Sequence, residues 1–554
     1  MKHYLAIIAA TLCLQAAAQQ RYSNPILHQD WSDPDVCRVG EDYYMTASSF
    51  NFFPGLPILH SRDLVHWKQV GAALTCYPCE GDANGTSATV RDSVEHGGRV
   101  WAPSIRYRDG WFYIVAADPD RGVFMVRTQD PAGPWEAPVW VVRAKGFIDP
   151  CPLWDDDGKA YLSHAAAGSR AGLKSIVFVA PMAPDGTHLL GPSRIVFDGH
   201  ETQPTIEGTK FYKRDGWYYL FCPAGGVTGG WQTVLRSRSP WGPWEEKIVL
   251  ASAPGTINGP HQGGWVDAPD GSGWFIHFQD KGAYGRIVHL QPLTWRADGW
   301  PLIGTDPDGD GTGQPVENWS IPRSGGRQGG KRPEKNVSDG FVYVGETTAA
   351  GPYGTGLEWQ YPCVPSPYWH YALPGGGFRL YSVEQQDLAV NLWNCPNLLG
   401  QKFPAESFSV CARMSFRPNP ALKGRGEQAG FYVTGNDYAG LRMTDTPEGA
   451  RLEYVECIEA AEGTPESVRA LALIPWEEAA DGYSATILVK LEVHQDAVCA
   501  LSWSTGDGSW NEAARGFRAK AEMWTGARFS FCCNRYAPKN DSGWVDVPGI
   551  EMKY

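Results

Sequence analysis

The sequence predicts an all-β protein, a five-bladed β-propeller followed by a β-sandwich, and three observations predict it. The 554 residues hold 64 Gly and 42 Pro beside 24 Trp and 24 Tyr. That is the composition of many short strands joined by turns, because aromatic rings suit half-buried pleated surfaces while Gly and Pro punctuate. A turn followed by an aromatic-rich strand recurs five times along the first part of the chain. The pattern then breaks after Thr305 and resumes as plain alternating strands.

The five copies of the repeated unit are Glu41-Asp42-Tyr43-Tyr44-Met45, Asp109-Gly110-Trp111-Phe112-Tyr113, Asp157-Gly158-Lys159-Ala160-Tyr161-Leu162, Asp215-Gly216-Trp217-Tyr218-Tyr219 and Gly273-Trp274-Phe275-Ile276. They fall roughly 50 to 70 residues apart, the scale of one four-stranded blade with generous loops. Five copies imply five blades. A second element places a Trp after a turn, at Trp67, Trp135 and Trp244, and each is expected to pack between neighbouring blades. A jelly roll would also alternate its strands, but would not repeat one turn-and-strand signature at this spacing.

From Thr305 to Asn336 the chain turns to Asp, Gly, Pro, Arg and Lys, a composition that reads as a linker. Beyond it come alternating strands such as Phe408-Ser409-Val410-Cys411-Ala412-Arg413-Met414 and Ala429-Gly430-Phe431-Tyr432-Val433, the pattern of a sandwich. The expected division is a signal peptide at 1–19, a propeller at 20–305, a linker at 306–344 and a sandwich at 345–554.

The signal peptide is read from Met1-Lys2-His3, an apolar run to Leu14, and Gln15-Ala16-Ala17-Ala18, which give a basic start, a short hydrophobic core and a small-residue cleavage site. A periplasmic or secreted protein is the expectation. The run is too short to cross a bilayer, and no later segment approaches about 18 unbroken apolar residues, so no membrane span is expected. Cys13 follows Leu12 where a lipid anchor would want a small residue, which favours soluble export.

A formal net charge of -13 speaks against a nucleic-acid partner, since that binding neutralises phosphates with Lys and Arg. Neutral carbohydrate is compatible. Cys76 and Cys79 have no second pair or suitably spaced His for zinc, which leaves a local disulfide as their reading. Cys222 and Cys411 lie in apolar strand patterns and read as small buried side chains.

Three acids stand out from the background of turn carboxylates, because each sits at a strand start beside an apolar residue and a Pro or Gly. They are Asp33 in Trp31-Ser32-Asp33-Pro34-Asp35-Val36, Asp149 in Phe147-Ile148-Asp149-Pro150, and Glu207 in Thr205-Ile206-Glu207-Gly208. Singly, each reads as an ordinary turn or capping residue. At strand starts in early, middle and late blades they would converge on the propeller's central channel.

Together these segments resemble glycoside hydrolase family 43. Asn24-Pro25-Ile26-Leu27 leading to Asp33-Pro34 is similar to the opening blade of its β-xylosidase and α-L-arabinofuranosidase members. Phe53-Pro54-Gly55, Trp101-Ala102-Pro103, Asp149-Pro150, Glu207-Gly208 and Gly285-Arg286 follow in the family's order. Asn397-Leu398-Leu399-Gly400-Gln401-Lys402-Phe403-Pro404 and Gly430-Phe431-Tyr432 resemble its C-terminal module, so the likeness spans nearly the whole mature chain. Two departures, Ser-Asp-Pro-Asp at the first motif and Gly-Thr after the glutamate, remove no carboxylate. Asp35 adds a rival to Asp33, to which the family pattern gives the role of base.

The resemblance implies an inverting, exo-acting glycosidase that releases α-L-arabinofuranose or β-D-xylose from plant cell-wall glycans. It makes Asp33 the general base, Glu207 the general acid, and Asp149 the group that raises and orients the acid. Inversion needs base and acid about 6.5 to 9.5 Å apart, with the acid kept protonated by burial or a neighbouring charge. Arg286 is implied as a holder of sugar hydroxyls, His261 as a channel histidine near a water or structural ion, and Trp101 and Phe53 as walls of the sugar pocket. The segment Gln279–Arg286 leans toward the arabinofuranosidase branch. The competing expectation is a carbohydrate-binding propeller without catalysis, which would have no need of a separated acid and base.

No cofactor is expected to be required, and calcium is expected only as a structural ion. Asp306-Pro307-Asp308-Gly309-Asp310-Gly311-Thr312-Gly313-Gln314-Pro315-Val316-Glu317 has the acid spacing of a calcium loop. Pro307, Pro315 and the lack of flanking helices favour plain Asx turns instead.

Overall fold

The computed structural model describes residues 20–75, 77, 94–252, 255–322, 342–343, 354–385, 390–479, 482–538 and 540–554. The signal-peptide segment and the pair Cys76 and Cys79 lie outside the described residues.

Each repeated unit is the second strand of a four-stranded antiparallel blade whose strands follow sequence order. Blade 1 is built from Asp35–Val39, Asp42–Thr46, Gly55–Ser61 and Lys68–Leu74, and blade 2 from Trp101–Arg108, Trp111–Asp118, Gly122–Thr128 and Val139–Val142. Blade 3 uses Phe147–Trp154, Ala160–Ala166, Ile176–Met182 and Arg194–Asp198. Blade 4 uses Lys210–Arg214, Trp217–Ala224, Trp231–Ser237 and Glu245–Leu250, and blade 5 His261–Asp267, Gly273–Asp280, Arg286–Trp295 and Pro301–Ile303. The hairpin turns explain the repeat. Asp109-Gly110 and Asp215-Gly216 have positive φ at both residues, at 50° and 84° and at 50° and 72°, which is the two-residue turn whose twist matches that of the flanking strands.

Apolar side chains fill five separate cores, one in each gap between neighbouring blades. Trp67 packs in the gap between blades 5 and 1, Trp135 between 1 and 2, and Trp244 between 3 and 4. A deeper polar chain ties the inner strands together. Arg106 Nη1 donates to Asp35 Oδ2 at 2.6 Å, and its Nη2 to Cys151 Sγ at 2.8 Å. Phe211 N–H donates to the same sulfur at 3.1 Å, and Trp265 N–H to Tyr212 Oη at 3.0 Å. Gly264 completes the circuit: a Cβ there would lie 2.5 Å from Asp35 Oδ1, so only glycine lets blade 5 close on blade 1.

The ring is closed by chain from both ends of the propeller. Ile26 N–H bonds to Val288 O at 2.9 Å and Val288 N–H to Leu27 O at 3.0 Å, while the Asn24 side chain bonds both backbone groups of Leu290. Arg21–Ser23 pairs antiparallel with Asn318–Ser320. The stretch 306–322, read as linker from its composition, therefore lies against the propeller: Gly313 bonds to Val249 and Ala251, and Thr305 to Gln314. Its Asp and Gly residues make tight turns on the surface of blades 4 and 5.

The C-terminal part is a sandwich of a ten-stranded and a seven-stranded sheet. Its central pair, Phe408–Arg417 and Gly482–His494, alternates buried and half-buried residues, so one face of each strand enters the core. That core does not stop at the domain boundary. Tyr284 and Ile287 of blade 5 belong to it, and the Tyr284 hydroxyl donates to Glu406 O at 2.8 Å and accepts from Ala497 N–H at 2.8 Å.

Candidate active site

At the mouth of the channel a positive-φ residue recurs where each inner strand begins. Asp33 (φ 52°), Ala102 (33°), Asp149 (57°), Gly208 (64°) and Gln262 (30°) occupy this place in blades 1 to 5. In blades 2, 3 and 5 it coincides with a register shift in the sheet. Such kinks re-aim side chains at the cost of local strain, and strain of this kind concentrates at functional sites.

Asp33 is buried, and both of its oxygens are engaged. Oδ1 accepts from Arg286 Nη1 at 2.9 Å and Oδ2 from the Ser48 hydroxyl at 2.6 Å. Ser48 Oγ in turn accepts from Ala102 N–H at 2.7 Å, which ties blade 1 to blade 2. Arg286 opens the third strand of blade 5. Its guanidinium stands 4.7 Å from the centre of the Phe278 ring, so the cation paired with Asp33 is held by an aromatic face as well.

Asp149 and Glu207 sit together across the gap between blades 3 and 4. Asp149 Oδ2 accepts from Gly208 N–H at 2.7 Å, and Thr209 Oγ1 donates to Asp149 O at 2.8 Å. The Glu207 backbone is fixed by a bond from its N–H to Pro223 O at 3.1 Å. Its side chain keeps 27% exposure toward the channel. Burial, then the Asp149 and Asp33 carboxylates, push the Glu207 carboxyl well above the usual glutamate range, and burial also raises Asp149 despite the bond from Gly208.

His261 lies with Nε2 3.5 Å from Glu207 Oε1 and with its ring stacked on Phe278. Neither ring nitrogen makes a hydrogen bond within the described residues. Burial, with Arg286 and His277 nearby, pushes its pKa down to about 3. It therefore stays neutral, and adds no positive charge that would pull Glu207 back toward ionisation.

Trp101 is half-buried, with its indole N–H donating to Gly97 O at 2.7 Å. It meets edge to face a residue that sequence reasoning missed, Trp524, at 6.1 Å between ring centres. Trp524 comes from the sandwich, is 44% exposed, has φ of 67°, and stands 5.6 Å from the Arg286 guanidinium. The second domain thus supplies an aromatic ring at the channel mouth.

The sequence profile of Glycosyl hydrolases family 43 matches residues 22–301. The chain is a member of that family. A second profile, the beta xylosidase C-terminal concanavalin A-like domain, matches residues 353–553. Among relatives of this glycosyl hydrolase, a Xylanibacter ruminicola protein named "Putative beta-xylosidase" is 38% identical over 436 residues, 78% of this chain and 74% of that one. The non-reducing end alpha-L-arabinofuranosidase BoGH43B of Bacteroides ovatus is 31% identical over 454 residues, 78% and 77% of the two chains. In fold, the chain matches the xylan beta-1,4-xylosidase of Bacillus halodurans over 96% of its length and 100% of that chain, with a TM-score of 0.76 at 22% identity.

One expectation for this family 43 glycosidase needs restating against its structure. Phe53 is 1% exposed and packs edge to face on Tyr77 in the core between blades 1 and 2, so it offers no face to a ligand. Phe50, three residues earlier, is the ring that meets Trp101 and flanks Arg286. Asp35 is fully buried against Arg106 and Ile105 N–H in the deeper chain, away from the mouth.

The carboxylates of Asp306, Asp308 and Asp310 do lie within 4.8 Å of one another. Glu317, the twelfth residue of the calcium pattern, is instead committed to the Thr256 hydroxyl at 2.9 Å. Asp306 accepts from Gly309 and Gly311 N–H groups, as an Asx turn does. Among the described residues no helix is long and apolar enough to cross a membrane.

Proposed function

We propose that this protein is an inverting exo-glycosidase that removes single pentose units, α-L-arabinofuranose or β-D-xylose, from the ends of plant cell-wall glycans. The observation that carries the mechanism is the contrast between two carboxyl groups at one channel mouth. Asp33 is paired with a guanidinium, whereas Glu207 is held protonated by burial and by two neighbouring carboxylates. A carboxyl group whose environment favours its protonated form is suited to the acid's part.

In this reading Asp33 takes a proton from a water on one face of the sugar ring as that water attacks the anomeric carbon. Glu207 gives its proton to the departing glycosidic oxygen on the other face, and the product leaves with inverted configuration. Asp149 acts on Glu207 through charge. Arg286 aligns Asp33 and offers its remaining N–H groups to sugar hydroxyls. Trp101 and Trp524 wall the mouth, and a mouth roofed by a second domain favours chain ends over threaded polymer. The reaction needs no cofactor in this scheme, and the protein acts after export.

The relatives' names support both pentoses, and the residues that hold the reacting ring do not separate them. Assays of an aryl α-L-arabinofuranoside and an aryl β-D-xyloside side by side decide the substrate, with early proton NMR reading the anomer released. Turnover of neither would remove the pentose assignment. A retained anomer would require a nucleophilic carboxylate in place of a base.

A further inference from the structure

Asp30 is a carboxylate at 4% exposure that the scheme above does not use. Its two oxygens face two domains. Oδ1 accepts from the backbone N–H of Arg286 at 2.9 Å and from the Ser32 hydroxyl at 3.1 Å. Oδ2 accepts from the backbone N–H of Gly526, in the sandwich, at 3.2 Å. Its carbonyl accepts from Lys402 Nζ, also of the sandwich, at 2.6 Å.

Two glycines make this approach feasible. A Cβ on Gly285 (φ 71°) would lie 2.5 Å from Asp30 Cγ, and one on Gly526 would lie 2.7 Å from Gly285 N. The two backbones therefore close directly on the carboxylate, and the seam continues in the bond from Ala527 N–H to Ala283 O at 2.7 Å. One end of the seam carries Arg286, which pairs with Asp33. The other carries Trp524, two residues before Gly526, whose carbonyl is 3.5 Å from Ser32 Oγ.

We propose that Asp30 is a positioning residue that locks the Trp524 loop of the sandwich to the Arg286 end of the channel, and that sugar affinity depends on this lock. The inference rests on the glycosidase reading for its substrate, but not on which pentose is cut. A buried carboxylate is suited to the task because both its oxygens accept, and bonds from N–H groups to a charged acceptor are the stronger kind. Neither oxygen could serve both domains alone.

The test exploits the difference between a carboxylate and an amide. In Asp30→Asn the amide oxygen satisfies the side with two donors, Arg286 N–H and Ser32, leaving an NH2 group facing the Gly526 N–H. Only the sandwich side is broken. The expected result is a KM severalfold higher, no more than Trp524→Ala gives, with kcat within about twofold, as for loss of one charge-assisted bond that acts on binding. Amide exchange should quicken in peptides covering 522–527 and stay unchanged in those covering 283–290. In a Trp524→Ala background the same substitution should change KM by less than about twofold, because both act through one loop.

Gly526→Ala reaches the lock from the other side without touching the carboxylate, and should reproduce both the KM rise and the exchange signature if Asp30→Asn does not fold. Additive effects of Asp30→Asn and Trp524→Ala, or a wild-type KM in Gly526→Ala, would overturn the proposal. If the wild-type enzyme cuts neither aryl pentoside, the functional reading fails separately, and exchange at 522–527 still decides the lock: equal rates in wild type and Asp30→Asn sink it.

Discussion

Two rings of side chains, one at the channel mouth and one deeper, are made by the same five inner strands and could hardly differ more. In the deeper ring Asp35 is answered by Arg106, Arg106 also reaches Cys151, and bonds run in order from blade 1 to blade 5, where Gly264 packs on Asp35. At the mouth Asp33 is paired with Arg286, whereas Glu207 and Asp149 are raised first by burial and then by neighbouring carboxylates, which Arg286 and Lys174 beside the one and Lys210 beside the other offset only in part. Asp33 and Asp35 are separated by one proline, yet one serves the channel and the other the scaffold.

The largest effects should come from the mouth. Asp33→Asn and Glu207→Gln should each lower kcat by roughly a hundredfold to ten-thousandfold, with an unchanged fold by circular dichroism. Substrates with very good leaving groups need little protonation, so they should partly rescue Glu207→Gln and leave Asp33→Asn as slow as before. Near-wild-type rates in either variant would end the assignment.

The deeper ring should answer in stability instead. Arg106→Met strands the Asp35 carboxylate in a dry interior, and removing one partner of a buried pair costs about 3 to 5 kcal/mol. Thermal unfolding should show a drop of several degrees, while the enzyme that remains folded keeps its KM. A KM change as large as the stability change would mean that the two rings are not separate.

A smaller effect sharpens the account of Glu207. Its protonated form is the active one, so rates should fall as pH rises through its raised pKa. Asp149→Asn removes a negative neighbour, makes Glu207 easier to ionise, and should move that basic limb to lower pH by about one unit. A limb that stays in place would leave burial and Asp33 as the causes. The smallest effect separates the aromatic residues: Trp524→Ala should raise KM severalfold, whereas Phe53→Leu should alter stability and leave KM alone.

Much of the propeller was legible because its information is local. Tight turns, Asp-Gly in four blades and Gly40-Glu41 in the first, and the strands after them fix the second strand of each blade within a dozen residues, and contiguous blades carry no pairing from afar. The shared placement of the three acids was legible for the same reason, since each stands at a strand start beside a Pro or Gly. Phe53 was misplaced because Phe50, Phe52 and Phe53 are equivalent in composition and only the twist of the loop decides which one faces the channel. Trp524 and Asp30 lay beyond reading. Their places depend on partners nearly 500 residues apart, Asp30 with Gly526 and Ser32 with Trp524, and nothing in Met523-Trp524-Thr525 announces them. The tract after Thr305 misled through composition, since Asp and Gly make turns on a folded surface as readily as in a free linker.

The way the propeller is sealed has a consequence for how the chain comes into being. No blade borrows a strand, so four blades can form in order as the polypeptide emerges. The closing bonds are different: Ile26 must wait for Val288, and Arg21–Ser23 for Asn318–Ser320. Until then the nascent protein is an open arc with the flank of its first blade bare, and pairing at such sequence distance is slow to form. A chain passed across a membrane from its N-terminus would hold that arc open for the time it takes some 260 further residues to arrive. Truncation just after blade 5, at residue 305, should keep the Ile26–Val288 closure but lose the outer clasp and bare the face of Tyr284 and Ile287, and the product should be prone to associate.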